Sequence, residues 1–387
     1  MAIIKYETKR RCFNTNFRLK HTYKNILIVT SEFPPQPGGI GNHAYNLAVQ
    51  LHQNGFNVSV IADQRSVSGN EELDFDNENP FKTYRIGLKK RRIFMYFKRL
   101  IVIFKLIKKA EVVIASGKFS LWVLALYSAI FKKKYIAIAH GSEVNFSNTL
   151  LNFSIHKSLS RFQHIIAVSN FTKSLINPLL FKSVVIIPNG YNSEKWNGHT
   201  KVELKIEGSP KLITVGNVTE RKGQLNVINH IPKLLVKYPN IHYHCVGIPT
   251  EKDGFMKIVE KHNIEDHVTF HGRLSDHDLK VHLMHSDIFV MLSSATSSGD
   301  VEGFGIAILE ANALGIPAIG STNCGIEDAI SNYKSGILVT YDSSDELSKA
   351  IQTIIENYDD YSKNALSWAQ SHKWDFIIKD YIELINS

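Results

Sequence analysis

The sequence predicts two successive doubly wound α/β domains, and three observations point there. Short uninterrupted runs of β-branched and aliphatic residues recur along the chain, as expected of parallel strands buried on both faces. Helical patterns alternate with them, giving repeated strand–helix–strand units. The series then restarts near the middle of a 387-residue chain, a length that suits two domains.

The first run is Asn25 to Thr30, followed by a Pro- and Gly-rich stretch from Phe33 to Gly41. A helical pattern from His43 to Asn54, Gly55 and a second run from Asn57 to Ala62 complete a βαβ unit. Further strands are predicted at Val112–Ala115, Tyr135–Ala139, His164–Val168 and Val184–Ile187. The polar stretch Asn192 to Ser209 reads as a linker. Beyond it, strands are predicted at Lys211–Val215, Ile241–Val246, His267–Phe270, Ile288–Leu292, Pro317–Ile319 and Gly336–Val339. Trp374 to Ile385 has apolar positions at helical spacing and reads as a closing helix. The expected organisation is a basic extension (1–24), two domains (25–195 and 196–370) and that closing segment (371–387), packing back on the first domain.

Composition is ordinary for a globular chain, with 44% hydrophobic and 21% charged residues, which excludes a disordered or fibrous protein. The net charge of +9 conceals an asymmetry. Residues 1–196 carry 28 basic and 11 acidic side chains (+17), and residues 197–387 carry 17 and 25 (−8). Such an imbalance speaks to partners rather than to fold. Three scattered cysteines fit neither a disulfide framework nor a zinc pattern. Met1 to Lys24 has no apolar h-region, and no long uncharged apolar run occurs, so a cytoplasmic protein is expected.

Gly39-x-Gly41-x-x-Ala44 with Asp63 about 20 residues on imitates a dinucleotide fingerprint. That fingerprint needs its first glycine directly after the strand, whereas here eight residues, three of them proline, intervene. A glycine-rich loop turning its N–H groups into a cleft is the favoured reading, with an NAD-dependent oxidoreductase as an alternative. Asp74-Phe75-Asp76 and Asp276-His277-Asp278 resemble metal-holding acidic pairs. The first lies in a polar acidic loop and the second follows Ser275 at a helix start, so solvated and capping roles are expected and no metal site is assigned.

Gly299 to Glu310 carries more. Glu302 and Glu310 flank seven residues, and Gly303 and Gly305 precede an apolar helical run, a turn suited to an anion. Gly216 to Gly223 delivers Arg221 and Lys222 at a helix start, where cations are unfavourable unless an anion such as a diphosphate compensates.

Taken in order, HGSE at 140–143, VSNFTK at 168–173, IPNGYN at 187–192, GNVTERKG at 216–223 and EGFGIAILE at 302–310 resemble the retaining glycosyltransferases of family four. The resemblance runs from about residue 25 onward. It implies the GT-B fold, two Rossmann-like domains facing across a cleft, with the second binding a nucleotide-sugar and the first an acceptor. Lys222 matches the lysine on the diphosphate, and Glu302 the glutamate near the transferred sugar. Phe304, Gly305 and Ile306 match backbone contacts, Glu310 the ribose-binding glutamate, and His140 a histidine approaching the sugar. Gly38, Gly39 and Gly41 match the acceptor-side phosphate loop. Asn217 stands where the family has arginine, which leaves open whether Arg221 supplies that charge or the chain is a non-catalytic sugar-nucleotide-binding subunit. A metal-independent transferase without cofactor is expected.

Lys89 to Lys109 holds nine cations and no acids among apolar and aromatic residues. At about 100° per residue, Arg91, Lys98, Lys105 and Lys109 share one side, with Arg99 also among the cations. Two readings stand: a basic amphipathic helix on an anionic membrane, as a lipid-linked acceptor would require, or a core-packed helix with a solvated basic face. No nucleic-acid motif is present.

Overall fold

The computed structural model describes residues 24–89, 91–196 and 204–387. Residues 1–23 of the expected basic extension, Lys90 and part of the expected linker lie outside the described residues.

The first domain contains strands β1 (Asn25–Thr30), β2 (Asn57–Asp63), β3 (Lys82–Ile86), β4 (Val112–Ser116), β5 (Lys134–Ala139), β6 (His164–Ala167) and β7 (Val184–Ile186). Its helices are α1 (Gly39–Gln53), α2 (Asn70–Asn77), α3 (Arg92–Ile107), α4 (Lys118–Tyr127), α5 (Thr149–Leu159) and α6 (Asn170–Ser174). The second domain contains β8 (Lys211–Val215), β9 (His242–Val246), β10 (Val268–Gly272), β11 (Ile288–Met291), β12 (Ala318–Ser321) and β13 (Gly336–Val339). With these go α7 (Gln224–Leu234), α8 (Lys252–His262), α9 (Asp276–Met284), α10 (Ile306–Asn312), α11 (Ser344–Glu356), α12 (Tyr358–Ser371) and α13 (Trp374–Asn386).

Both sheets are parallel. Their orders are β3-β2-β1-β4-β5-β6-β7 and β10-β9-β8-β11-β12-β13, so each reverses direction beside its first strand. In such sheets ligands bind beyond the carboxyl ends of the strands at that reversal, here β1/β4 and β8/β11.

Alternation along the strands builds two layers. In β1, Ile26 and Ile28 pack into the core shared with Ala44, Leu47 and Leu51 of α1, whereas Leu27 and Val29 join Ile103 of α3, Leu124 of α4 and Ile155 of α5. Trp374, Ile377 and Tyr381 of α13 pack in the same core as α1, so the last helix of the chain lies on the first domain. The crossing is pinned where the Tyr191 N–H donates to the His372 carbonyl at 3.1 Å.

Local differences from expectation have simple causes. Strand β3 escaped the sequence reading because it is an edge strand with alternating polar residues, of which Ile86 alone is fully buried. Helix α1 begins at Gly39 rather than His43. Gly41 is tolerated there because the helix lies so close to the chain at Glu32 and Phe33 that a Cβ would sit 3.0 Å from the Phe33 nitrogen. The acidic stretch around Asp74 is a helix, α2, whose Asp76 accepts two hydrogen bonds from Arg85 at 2.8 and 2.9 Å. Ser275 caps α9, accepting from the Asp278 N–H at 3.1 Å. No helix among the described residues is long and apolar enough to cross a membrane.

Candidate active site

The site forms where the two sheet reversals face one another. Arg221 and Lys222 lie on a single 3-10 turn, Glu220–Lys222, between β8 and α7. The turn is held by the Ser293 hydroxyl, which donates to the Arg221 carbonyl from the end of β11. Both cations converge on one carboxylate. Arg221 Nη1 pairs with Glu302 Oε2, Lys222 Nζ lies 2.8 Å from the same oxygen, and Arg221 Nε reaches Asp300 at 3.2 Å.

Glu302 is 9% exposed. Burial would raise its pKa, but Lys222 and Arg221 outweigh that and hold it down to about 2. Arg221 is in turn raised, chiefly by Glu302. The charge compensation expected at this helix start is thus supplied, in this structure, by the neighbouring glutamate. Asn217 is exposed at the end of β8, and its backbone carbonyl accepts from Gln224 Nε2 at 3.1 Å. Arg221 therefore brings its guanidinium beside Lys222 from a position four residues later than the family arginine.

His140 follows β5 and faces this cluster from the first domain. Its Nε2 is 2.9 Å from Ser116 Oγ at the end of β4, and its backbone N–H donates to Glu143 at 2.6 Å. Burial drives the imidazole pKa down to about 3, so the ring is neutral, and drives the buried Glu143 up to about 7. The His43 ring lies 5.0 Å from His140 and its Nε2 2.9 Å from the Tyr381 hydroxyl, so α1 and α13 back the histidine.

The seam between domains is close. A Cβ on Gly303 would overlap the His140 carbonyl oxygen, so only glycine permits this approach. Ser142 bonds the Asp300 carboxylate and accepts from the Val301 N–H at 3.2 Å, and Asn145 Nδ2 donates to the Gly299 carbonyl at 3.0 Å. Asn170 at the start of α6 donates twice to Asp328, at 2.7 and 2.6 Å.

Phe304 is a core residue, 1% exposed, which leaves its backbone as the part able to meet a ligand. Gly305, at φ 89°, takes the left-handed turn that starts α10, and Ile306 opens that helix. Glu310 lies on α10 and accepts from Trp196 Nε1 at 3.1 Å; burial raises its pKa, opposed by Lys195 and this hydrogen bond. Gly38 caps α1, Gly39 begins it, and a Cβ at Gly38 would overlap the Glu32 carboxylate. Glu32 is near enough for its charge to act on Arg221 and Glu143, so the glycine loop borders the same cleft.

Two family models match in tandem: the one described as Glycosyltransferase Family 4 over residues 37–195, and Glycosyl transferases group 1 over 198–368. The chain belongs to glycosyltransferase family 4. It is therefore a glycosyltransferase, and its two parallel-sheet domains are the GT-B fold. A GDP-mannose-dependent phosphatidylinositol monomannoside mannosyltransferase of Mycobacterium tuberculosis is 23% identical over 353 residues, 86% of this chain and 90% of that protein. WcaL of Salmonella typhimurium, named a putative colanic acid biosynthesis glycosyltransferase, is 30% identical over 141 residues, 36% of this chain and 35% of its own. Anabaena HepE, solved with UDP and glucose, superposes with a TM-score of 0.76 at 17% identity, covering 94% of this chain and 99% of that one.

Within this glycosyltransferase the structure brings His140, Arg221, Lys222, Glu302 and the glycine loop to one cleft. It separates the α3 cations from them, on the far layer of the first sheet. Arg99 departs from the membrane set altogether. It is 4% exposed, ion-paired with Asp63, and its guanidinium lies 3.9 Å from the centre of the Phe119 ring. The family match stands against the dinucleotide alternative, and the Asp63 carboxylate that would read a ribose there is paired with Arg99. Asp300, Ser142 and Asn145 were missed. Ser142 and Asp300 lie within the HGSE and Gly299–Glu310 motifs, but their contacts span more than 150 residues of chain, so no local pattern signals the pairing.

Proposed function

We propose that the enzyme transfers a sugar from a nucleotide diphosphate donor to a lipid-linked glycan acceptor, with retention of configuration, in cell-surface polysaccharide or lipopolysaccharide assembly. The observation that carries the donor side is the convergence of Arg221 and Lys222 on Glu302, opposite His140. A diphosphate entering here displaces Glu302 as the partner of the two cations. Those cations then stabilise the charge that develops on the leaving group.

In the reaction we infer, the bond from the anomeric carbon to the diphosphate oxygen breaks and its electron pair leaves with the diphosphate. The acceptor hydroxyl bonds to that carbon on the same face, and its proton passes to the departing phosphate oxygen. Neutral His140 can hydrogen-bond a sugar hydroxyl, and Glu310 can accept from ribose hydroxyls. The scheme uses no metal and no cofactor. The lipid-linked acceptor accords with the phosphatidylinositol mannoside acceptor in the name of the mycobacterial relative. With such an acceptor the enzyme would work peripherally at the cytoplasmic face of an anionic membrane.

A thermal-shift screen of UDP, GDP, ADP and their sugars, followed by labelled-sugar transfer to a lipid extract, tests the reading. Stabilisation by a nucleotide diphosphate and label in the lipid phase are expected. Nucleotide-independent melting of the wild-type protein sinks it.

A further inference from the structure

The charge asymmetry of the first domain has a definite location. From residue 79 to residue 193 the chain holds 19 Lys and Arg against two acids, Glu111 and Glu143. Glu143 is buried, so Glu111 is the only acid of this stretch at the surface.

The segment builds the outer layer of the first sheet, in which α3, α4 and α5 share one core. Tyr96 of α3 stacks on Phe119 of α4 at 5.2 Å, and Trp122 of α4 donates to Ser154 of α5 at 3.1 Å. Side by side, the three helices present one surface.

That surface is apolar where it should be polar. Helix α3 turns Ile103 and Ile107 to the core, yet Ile93, Phe94, Phe97, Ile101 and Phe104 are 42–58% exposed. At about 100° per residue these five fall within one stripe, Lys98 and Lys105 fall directly beside it, and Arg91 and Lys109 flank the two ends of the helix. Lys108 Nζ rests 4.1 Å from the centre of the Phe104 ring, its stem running along the apolar stripe. On α5, Leu150 and Phe153 are 80% and 67% exposed. Scattered exposed apolar residues are ordinary, but a continuous stripe of them marks an interaction surface.

We propose that the α3–α5 layer docks on an anionic lipid bilayer. The apolar stripe of α3 enters the boundary between headgroups and acyl chains, and the basic stripe lies on the headgroups. The charge fixes the occupant: a second copy of this face would bring like charges together. A nucleic acid would leave the Ile and Phe stripe in water. The position fits as well. Each helix follows its strand, so the amino-terminal turns of α3 and α5 stand at the carboxyl end of the sheet, the end where His140 lies. Docked through this layer, the enzyme opens its cleft beside the membrane surface. The inference deepens the lipid-linked acceptor reading, but its test does not depend on transfer.

Flotation of the purified full chain with phosphatidylcholine vesicles, with and without phosphatidylglycerol, is the experiment. The wild-type protein is expected to float only with the anionic vesicles. Lys98→Gln/Lys105→Gln/Lys109→Gln is expected to weaken partitioning by about a hundredfold, from roughly fivefold per charge. Phe97→Ser/Ile101→Ser/Phe104→Ser is expected to abolish what survives at high salt. Lys257→Gln/Lys261→Gln, on exposed positions of α8, leaves flotation unchanged. Failure of the wild-type protein to float, flotation unchanged in both α3 variants, or capture by RNA in place of vesicles overturns the proposal. Nucleotide binding by thermal shift is read on every variant. Its loss in the wild-type protein refutes the donor reading and leaves docking standing, and the reverse outcome does the opposite.

Discussion

Gly303→Ala isolates the contact on which cleft closure depends. The added methyl overlaps the His140 carbonyl oxygen and meets the other domain, not its own. Restoring ordinary van der Waals separation requires the seam to open by roughly 1–2 Å. That shift is large for catalysis, because a misplacement of about 1 Å can cost on the order of a hundredfold in rate. It also stretches the Ser142–Asp300 and Asn145–Gly299 bonds, which cross the same seam. We expect kcat/KM for transfer to fall by at least about a hundredfold. The fold should survive, because each domain keeps its own core. Gly254→Ala provides the control: it lies in α8 with nothing within 4 Å of the new methyl, and is expected to stabilise by ~0.5–1 kcal/mol. Steady-state transfer kinetics and thermal melts measure both. A Gly303→Ala enzyme whose kcat/KM stays within about threefold of wild type would refute the reasoning that the seam sets the catalytic geometry.

Other perturbations separate the remaining roles. Lys222→Ala removes a charge-assisted contact to the proposed diphosphate and should weaken nucleotide binding by about 1.5–3 kcal/mol, read by calorimetry; unchanged affinity would point to Arg221 alone. Glu310→Ala should lose most turnover while still melting cooperatively, and wild-type rates would remove it from the donor site. Arg99→Gln leaves the half-buried Asp63 without its ion-pair partner and should cost about 3 kcal/mol of stability in denaturant titrations, with vesicle flotation unaffected. Acid should weaken the second domain through a histidine ladder. His242 stacks on His244 at 4.6 Å, and His244 Nδ1 lies 3.0 Å from His271 Nε2. Burial, with mutual repulsion, lowers His244 and holds both His242 and His271 at about 4. The unfolded chain, with histidines near 6.5, binds more protons between pH 6.5 and 4. Stability is therefore full above that window and falls as pH drops through it. Melting temperatures that stay flat from pH 7 to 4 would contradict this.

How far the sequence reaches can be seen strand by strand. The runs at Asn25–Thr30 and Lys211–Val215 coincide with strands because central parallel strands are apolar on both faces and announce themselves locally. β3, half-solvated at an edge, does not. The site shows the same division. Arg221, Lys222, Glu302 and Glu310 stood out because glycine-bounded motifs at strand ends are short and contiguous. Nothing near Ser142 or Asp300 in sequence tells that they meet.

By itself, then, the sequence determined the two doubly wound halves, the glycine-rich turns that hold the site, and the basic balance of the first domain. Those follow from local periodicity, turn chemistry and charge count, which need no knowledge of distant neighbours. Tertiary structure decided which charges are spent inside. It gave Arg99 to Asp63 and Arg221 to Glu302, and it turned the Ile and Phe stripe of α3 outward with the lysines beside it. A helix wheel orders side chains around an axis, but only the sheet against which the helix packs selects the face that is buried.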